Sequence, residues 1–120
     1  GQVETFRTML ETAAPDEDQV ADIDFLLALG ELFSLVVYAQ LILEAVELHG
    51  ISEHTTEQIF DVLVRDFSAG ATRLHGKSTT NDDQAGFARK MVRRPHRDAT
   101  RFDAVWGEVV ALIDTYELAP

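Results

Sequence analysis

Cysteine is absent from the 120 residues. That excludes a disulfide framework and thiolate nucleophiles, and it fits a reducing, cytoplasmic compartment. Basic charge is almost absent from the first half, where Arg7 is the one basic side chain up to Val62. The formal net charge of −11 argues against a nucleic-acid partner, because phosphate contacts need a basic surface. Proline occurs only three times, and no stretch alternates apolar with polar residues, so no strand signal competes with the helical ones. No basic segment precedes a short apolar core, so no secretory signal is expected. The sequence begins without Met, and Gly1 reads as a processing scar, so the expectation is an excised fragment of a larger protein.

What is present is a long apolar run. Residues 25–50 read FLLALGELFSLVVYAQLILEAVELHG, roughly 35–40 Å as a helix. A helix apolar on nearly all sides must be surrounded by lipid or by other helices. Glu31, Gln40 and Glu44 interrupt it, carboxylates at bilayer depth are costly, and the flanks are acidic rather than basic. The expectation is therefore no membrane span. The run becomes the buried central helix of a soluble bundle, its carboxylates paired with arginines of later helices.

The remaining elements follow from spacing. Val3, Phe6, Leu10 and Ala13 predict a first helix over residues 2–13, ended by Ala14-Pro15-Asp16. Asp16-Glu17-Asp18 suit the start of the second, which runs to Gly50 as a left-handed cap, with a bend at Gly30. Ser52 or Thr55 caps a third helix (Thr55-Thr56-Glu57-Gln58 has capping-box form). It buries Ile59, Leu63, Phe67 and Leu74, widened by Phe60 and Val64, and stops at Leu74-His75-Gly76. Asn81 caps a short fourth helix to about Arg93, with Ala85, Ala88 and Met91 or Val92 inward. Pro95 opens a fifth, carrying Phe102, Val105, Trp106, Val109, Leu112, Ile113 and Tyr116 as its buried stripe. Three long and two short helices with short loops predict one all-α domain over residues 1–120. Its architecture is an antiparallel up-and-down helical bundle, four-helix-bundle-like. The acidic first half and mixed second half would attract each other in it.

Signals for chemistry are sparse. Gly76-Lys77-Ser78 fails as a phosphate-binding loop, since Ala71 stands where glycine is needed and a helix precedes it instead of a strand. His49, His54, His75 and His96 form no Glu-x-x-His pair of the di-metal type; they read as surface or capping residues, with no metal site. Arg89, Arg93, Arg97 and Arg101 recur every four residues, beside Lys90 and Arg94. On one continuous helix they would form a ridge suited to phosphates, but Pro95 divides it. Docking against acidic residues and binding of an anionic ligand or cofactor phosphate both stay open.

Two segments together carry a resemblance. Ala45-Val46-Glu47-Leu48-His49-Gly50, followed by Ile59-Phe60-Asp61-Val62-Leu63-Val64-Arg65-Asp66-Phe67, resembles the C-terminal helical domain of flavin-dependent acyl-CoA dehydrogenases. The tail, with Arg94-Pro95, Asp98-Ala99, Arg101-Phe102, Val105-Trp106 and Tyr116-Glu117, is similar to the extended C-terminus of large actinobacterial-type members. The resemblance runs from about Leu32 onward. It implies a parent flavoprotein that carries out FAD-dependent α,β-dehydrogenation of an acyl-CoA, an oxidoreductase reaction of fatty acid metabolism, by proton abstraction and hydride transfer to FAD. Glu47 stands where the family's glutamine approaches the FAD pyrophosphate, and Gly50 matches the first glycine of that turn, while Ile51 and Glu53 replace later glycines. Allowing one inserted residue, His75 falls at the family's base position before Gly76. The resemblance further implies an isolated domain that is inactive and binds no FAD, packs on the rest of the parent chain, and forms homo-oligomers through helix packing. The alternative is a stand-alone helical-bundle module for binding or protein interaction, without catalysis.

Overall fold

The computed structural model describes residues 1–95 and 98–116, residues 113–116 by backbone alone. His96, Arg97 and the tail after Tyr116 lie outside the described residues, as do the side chains of Ile113 and Tyr116. The chain is all-helical, with no strand among the described residues. The described residues form six helices in order: α1 Gln2–Thr12, α2 Glu17–Ala21, α3 Ile23–His49, α4 Glu53–His75, α5 Asp82–Met91 and α6 Ala99–Tyr116.

The expected second helix is two helices. Asp22 is extended at φ −91° and ψ 102°, and its carboxylate accepts from the backbone N–H groups of Asp24 and Phe25 at 3.1 and 3.3 Å. It satisfies donors that a helix start leaves without intrahelical partners, so a new helix begins there. At the other end Gly50 adopts φ 62° and ψ 38°, the left-handed C-terminal conformation that costs glycine nothing. No break occurs at Gly30, where α3 continues as α-helix. Ser52, not Thr55, caps α4, its hydroxyl accepting from Thr55 N–H at 3.1 Å. Asp98, not Pro95, starts α6, its carboxylate accepting from Arg101 N–H at 2.9 Å.

α4, rather than the long apolar helix, is central, since it packs against α3, α5 and α6. Phe6, Met9, Phe25, Ala28, Leu29, Leu32, Phe67, Ala71, Leu74, Ala88 and Met91 form one buried cluster. Every one of them lies toward the end of the molecule where α1, α2 and α5 meet the first third of α3 and the last third of α4. Phe6 makes edge-to-face contacts with Phe33 and Phe67 at centroid distances of 5.1 and 6.0 Å, a favoured aromatic geometry. Gly70 admits the close approach of α3 to α4, because a Cβ there would lie 2.9 Å from Leu32 Cδ2.

Polar groups lock this end. Gln19 and Gln84 are both 1 % exposed, and their amides exchange hydrogen bonds at 2.6 and 2.9 Å. Each oxygen also accepts from the N–H that begins its own helix, Asp16 for Gln19 and Asn81 for Gln84, at 3.1 Å. The remaining amide donors reach Thr79 O at 2.6 Å and Ala13 O at 3.1 Å. All four hydrogen-bonding capacities of each buried amide are thereby met. Gln2 on α1 similarly donates to Ser68 Oγ at 3.0 Å and Met91 O at 2.8 Å, tying α1 to α4 and α5.

The opposite end is open. Past Leu32, α3 has no fully buried residue, and Val37, Tyr38, Leu41, Leu43 and Leu48 are each at least half exposed. The expected burial of this run is therefore corrected, because one neighbouring helix covers one side of a cylinder and no more. The stripe expected inside α6 is corrected likewise. Phe102, Trp106, Val109 and Leu112 are exposed and Val105 is half-buried, and among the described side chains of α6 it is Arg101 that is buried. The molecule measures 53 × 33 × 23 Å with a radius of gyration of 17.7 Å, against roughly 14 Å for a compact domain of this length.

Candidate functional site

Three places gather side chains that could act on a partner or ligand. The first is an open cleft of about 320 Å³ between α4 and the start of α6, lined by Gln58, Asp61, Arg65, Pro95, Asp98, Arg101 and Phe102 among others. Arg101 crosses it. Its guanidinium pairs with Asp61, and with Glu57 at 3.2 Å. Its side chain is 8 % exposed and that of Asp61 19 %, so this pair anchors α6 on α4. The arginine ridge does not assemble. Arg89 closes α5, Arg93 and Arg94 lie in the loop after it, and Arg101 faces acids of its own chain. Asp61, Asp98 and Asp103 outnumber Arg65 and Arg101 around this cleft, which does not suit a phosphate.

The second place is the pair of positions that the resemblance singles out. Glu47 and Gly50 lie exposed at the α3–α4 turn, with Glu53 beyond it. His75 ends α4 at its far end, about 33 Å away along the helix. Two carboxylates flanking the Gly50 turn repel a pyrophosphate, so the turn does not fit the flavin group. His75 Nε2 lies 3.2 Å from Arg89 Nη1. Arginine only donates, so in this arrangement the imidazole accepts through its Nε2 lone pair. Of the other histidines, His49 and His54 are exposed at the helix ends around Gly50. Among the described residues no group of three or more His, Asp or Glu is placed to hold a metal ion.

Nearby hydroxyls and charges shift three groups. The Thr79 hydroxyl donates to Asp22 at 2.8 Å and holds its carboxyl below the ordinary value, aided by two backbone N–H groups and Lys77. The hydroxyls of Thr55 and Ser52 do the same for Glu108, which joins α6 to the start of α4. The bond from Arg73 to Glu31 raises the arginine and gives Glu31 the later-helix arginine expected for it. Gln40 and Glu44 instead remain exposed, the Gln40 amide donating to Glu44 at 3.5 Å.

The third place is the outer face of α3, where Phe33, Ser34, Val37, Tyr38 and Leu41 line an apolar groove of about 390 Å³. Tertiary structure alone exposes it; a 4-3 spacing of residues along the helix was the available signal. By length and composition α3 is also long and apolar enough to cross a membrane.

No protein-family model matches the sequence, and neither characterised proteins nor solved structures give a match. Nothing in these comparisons links the chain to acyl-CoA dehydrogenases.

Proposed function

We propose that this chain is a non-catalytic helical packing and interaction module whose apolar α3 face is completed by another protein surface. The observation that carries this is the failure of α3 to bury any residue completely beyond Leu32 while keeping its apolar composition. Contiguous exposed apolar surface of this kind marks interaction sites. Lipid is a poorer cover. The first third of α3 is held in the protein core by Phe25, Ala28, Leu29 and Leu32, and Glu31 pairs with Arg73 beside it. The part left over, residues 33–49, reaches only about 25 Å against a hydrocarbon thickness of about 30 Å, and it carries Glu44 and Glu47.

Purified chain mixed with phosphatidylcholine vesicles should stay out of the floating lipid fraction, and co-flotation would sink the module reading. Incubated with acyl-CoA, FAD and an artificial electron acceptor, it should show no turnover; measurable dehydrogenation would overturn the non-catalytic assignment.

The resemblance to acyl-CoA dehydrogenases leads to a second proposal for a parent chain, favoured by the left-handed glycine that ends α3 where the resemblance places one. There the domain would pack and oligomerise as an antiparallel bundle, with flavin and acyl-CoA held chiefly by other domains. Comparing FAD retention in such a parent before and after Glu47→Gln tests the turn, and unchanged occupancy removes it from the flavin site. Undiminished turnover in a His75→Ala parent removes His75 as a base.

A further inference from the structure

Along the outer face of α3, eight exposed positions follow one another at steps of four and three: Ile23, Leu27, Gly30, Ser34, Val37, Leu41, Glu44 and Leu48. At about 100° per residue, this line lies roughly opposite Phe25, Ala28, Leu29 and Leu32, which face the core. A 4-3 alternation is the seam of two helices packed side by side as a coiled coil. Leu26, Phe33 and Tyr38, all exposed, widen the seam on both sides.

The order of residues in the seam selects a direction. Read antiparallel about a two-fold axis between residues 35 and 36, Ser34 meets Val37 and Gly30 meets Leu41. Leu27 then meets Glu44, and Ile23 meets Leu48. Small side chains thus oppose large ones at the centre, the arrangement that fills a helix interface without voids. Read parallel in register, Gly30 would face Gly30 and leave a gap, and Glu44 would face Glu44. The antiparallel arrangement moves those carboxylates about 25 Å apart along the axis, beyond the screening length of physiological salt. No ionisable Asp, Glu, Lys or Arg stands between Glu31 and Glu44, so the centre of the seam is neutral despite the chain's net charge of −11.

Surface area agrees. The accessible surface is 8298 Å², whereas a compact chain of 13.4 kDa would expose about 6,500 Å². The excess, shared between the outer face of α3 and the exposed residues of α6, is about twice the roughly 800 Å² that each partner contributes to a standard stable interface. We propose that two copies of this chain associate through α3 in an antiparallel, two-fold symmetric seam centred between Leu35 and Val36. This rests on the module reading above and names the partner of that surface.

The cysteine-free sequence makes the test direct. Light scattering after gel filtration should give twice the 13.4 kDa chain mass, and the Val37→Glu/Leu41→Glu variant should elute as monomer with unchanged helical circular dichroism. Ile23→Cys and Leu48→Cys chains are prepared separately, mixed and oxidised. In the proposed register the mixed disulfide predominates, whereas two copies of position 23 lie about 37 Å apart, far beyond the reach of a disulfide. Predominant homodisulfides would establish a parallel pair and overturn the proposal. A dimer that survives Val37→Glu/Leu41→Glu would place the interface elsewhere and overturn it too. A wild-type monomer that ignores vesicles overturns self-association while leaving the module reading intact, and a monomer that floats with vesicles overturns both.

Discussion

The two ends of the molecule are built from the same kind of helix yet differ in how their apolar surface is used. At one end, α1, α2 and α5 close over the α3–α4 hairpin, and buried amides tie the helix starts together. At the other, α3 and α6 each touch α4 and little else, and Trp106 and Leu41 remain more than half exposed. The difference teaches that hydrophobic composition alone does not fix burial. A helix needs a neighbour on each apolar side to bury it, and α3 has one on its inner side only, with Ile23 and Leu27 exposed even at the closed end.

The largest effects should come from the closed end. Gln84→Leu leaves the Asn81 N–H, the Ala13 carbonyl and the Gln19 amide short of partners, and should lower urea stability by about 3 kcal/mol or more, since each buried unsatisfied group costs about 1–3. The Gln19→Leu/Gln84→Leu double variant should lose clearly less than the sum of the two single losses, because the second substitution removes an orphaned partner. Additive losses would show that the amide pair does not act as one unit.

Leu32→Ala, at a site with no exposure, should cost about 3 kcal/mol at any protein concentration. Leu41→Ala, at 54 % exposure, should leave the stability of dilute chain nearly unchanged and matter only where copies associate. Equal effects from both in dilute urea titrations would erase the distinction between the ends.

Glycine substitutions sharpen the contrast by changing sign. Gly70→Ala forces its Cβ onto Leu32 Cδ2 and should destabilise by about 1 kcal/mol after its gain in helix propensity, overpacking costing about 1–3. Gly30→Ala meets nothing within 4 Å and should raise the dilute melting temperature, by up to about 1 kcal/mol of stability. Thermal melts that move in the same direction would count against the packing described for Gly70.

The smallest effect is pH dependence. Asp22 has a folded-state value below that of the unfolded chain. Its contribution is therefore present above the unfolded value and is lost as pH falls through the folded one, in the window below about pH 4. Thr79→Val should flatten that acid limb at the closed end. Thr55→Val, which leaves the Ser52 cap of α4 in place, should flatten the corresponding contribution of Glu108 at the open end. An acid unfolding profile indifferent to the loss of either hydroxyl would remove them as the cause.

Much of the fold was legible in the residues. The periodicities of Phe67 with Leu74 and of Ala88 with Met91, the cap at Asn81 and the glycine after His49 are local signals, and local chemistry produces them. The break at Asp22 was harder to read, because Asp22 can continue a helix or cap one, and Thr79 from a distant loop stabilises the capping form. The pair formed by Asp16-x-x-Gln19 and Asn81-x-x-Gln84 has a visible capping-box spacing in each half. Their mutual burial needs two segments 65 positions apart in the chain. The candidate site was less legible still: Pro95 already divided the arginine ridge in the sequence, whereas the exposed line along α3 shows only once the helices packed against it are known.

By itself the sequence determined that this chain is helical, where most helices stop, and that α3 is apolar nearly all round, because propensity, capping and periodicity act between residues close in the chain. Only the tertiary structure decided which side of α3 is covered. Covering depends on how many helices reach it, and α1, α2 and α5 are too short to extend over its second half.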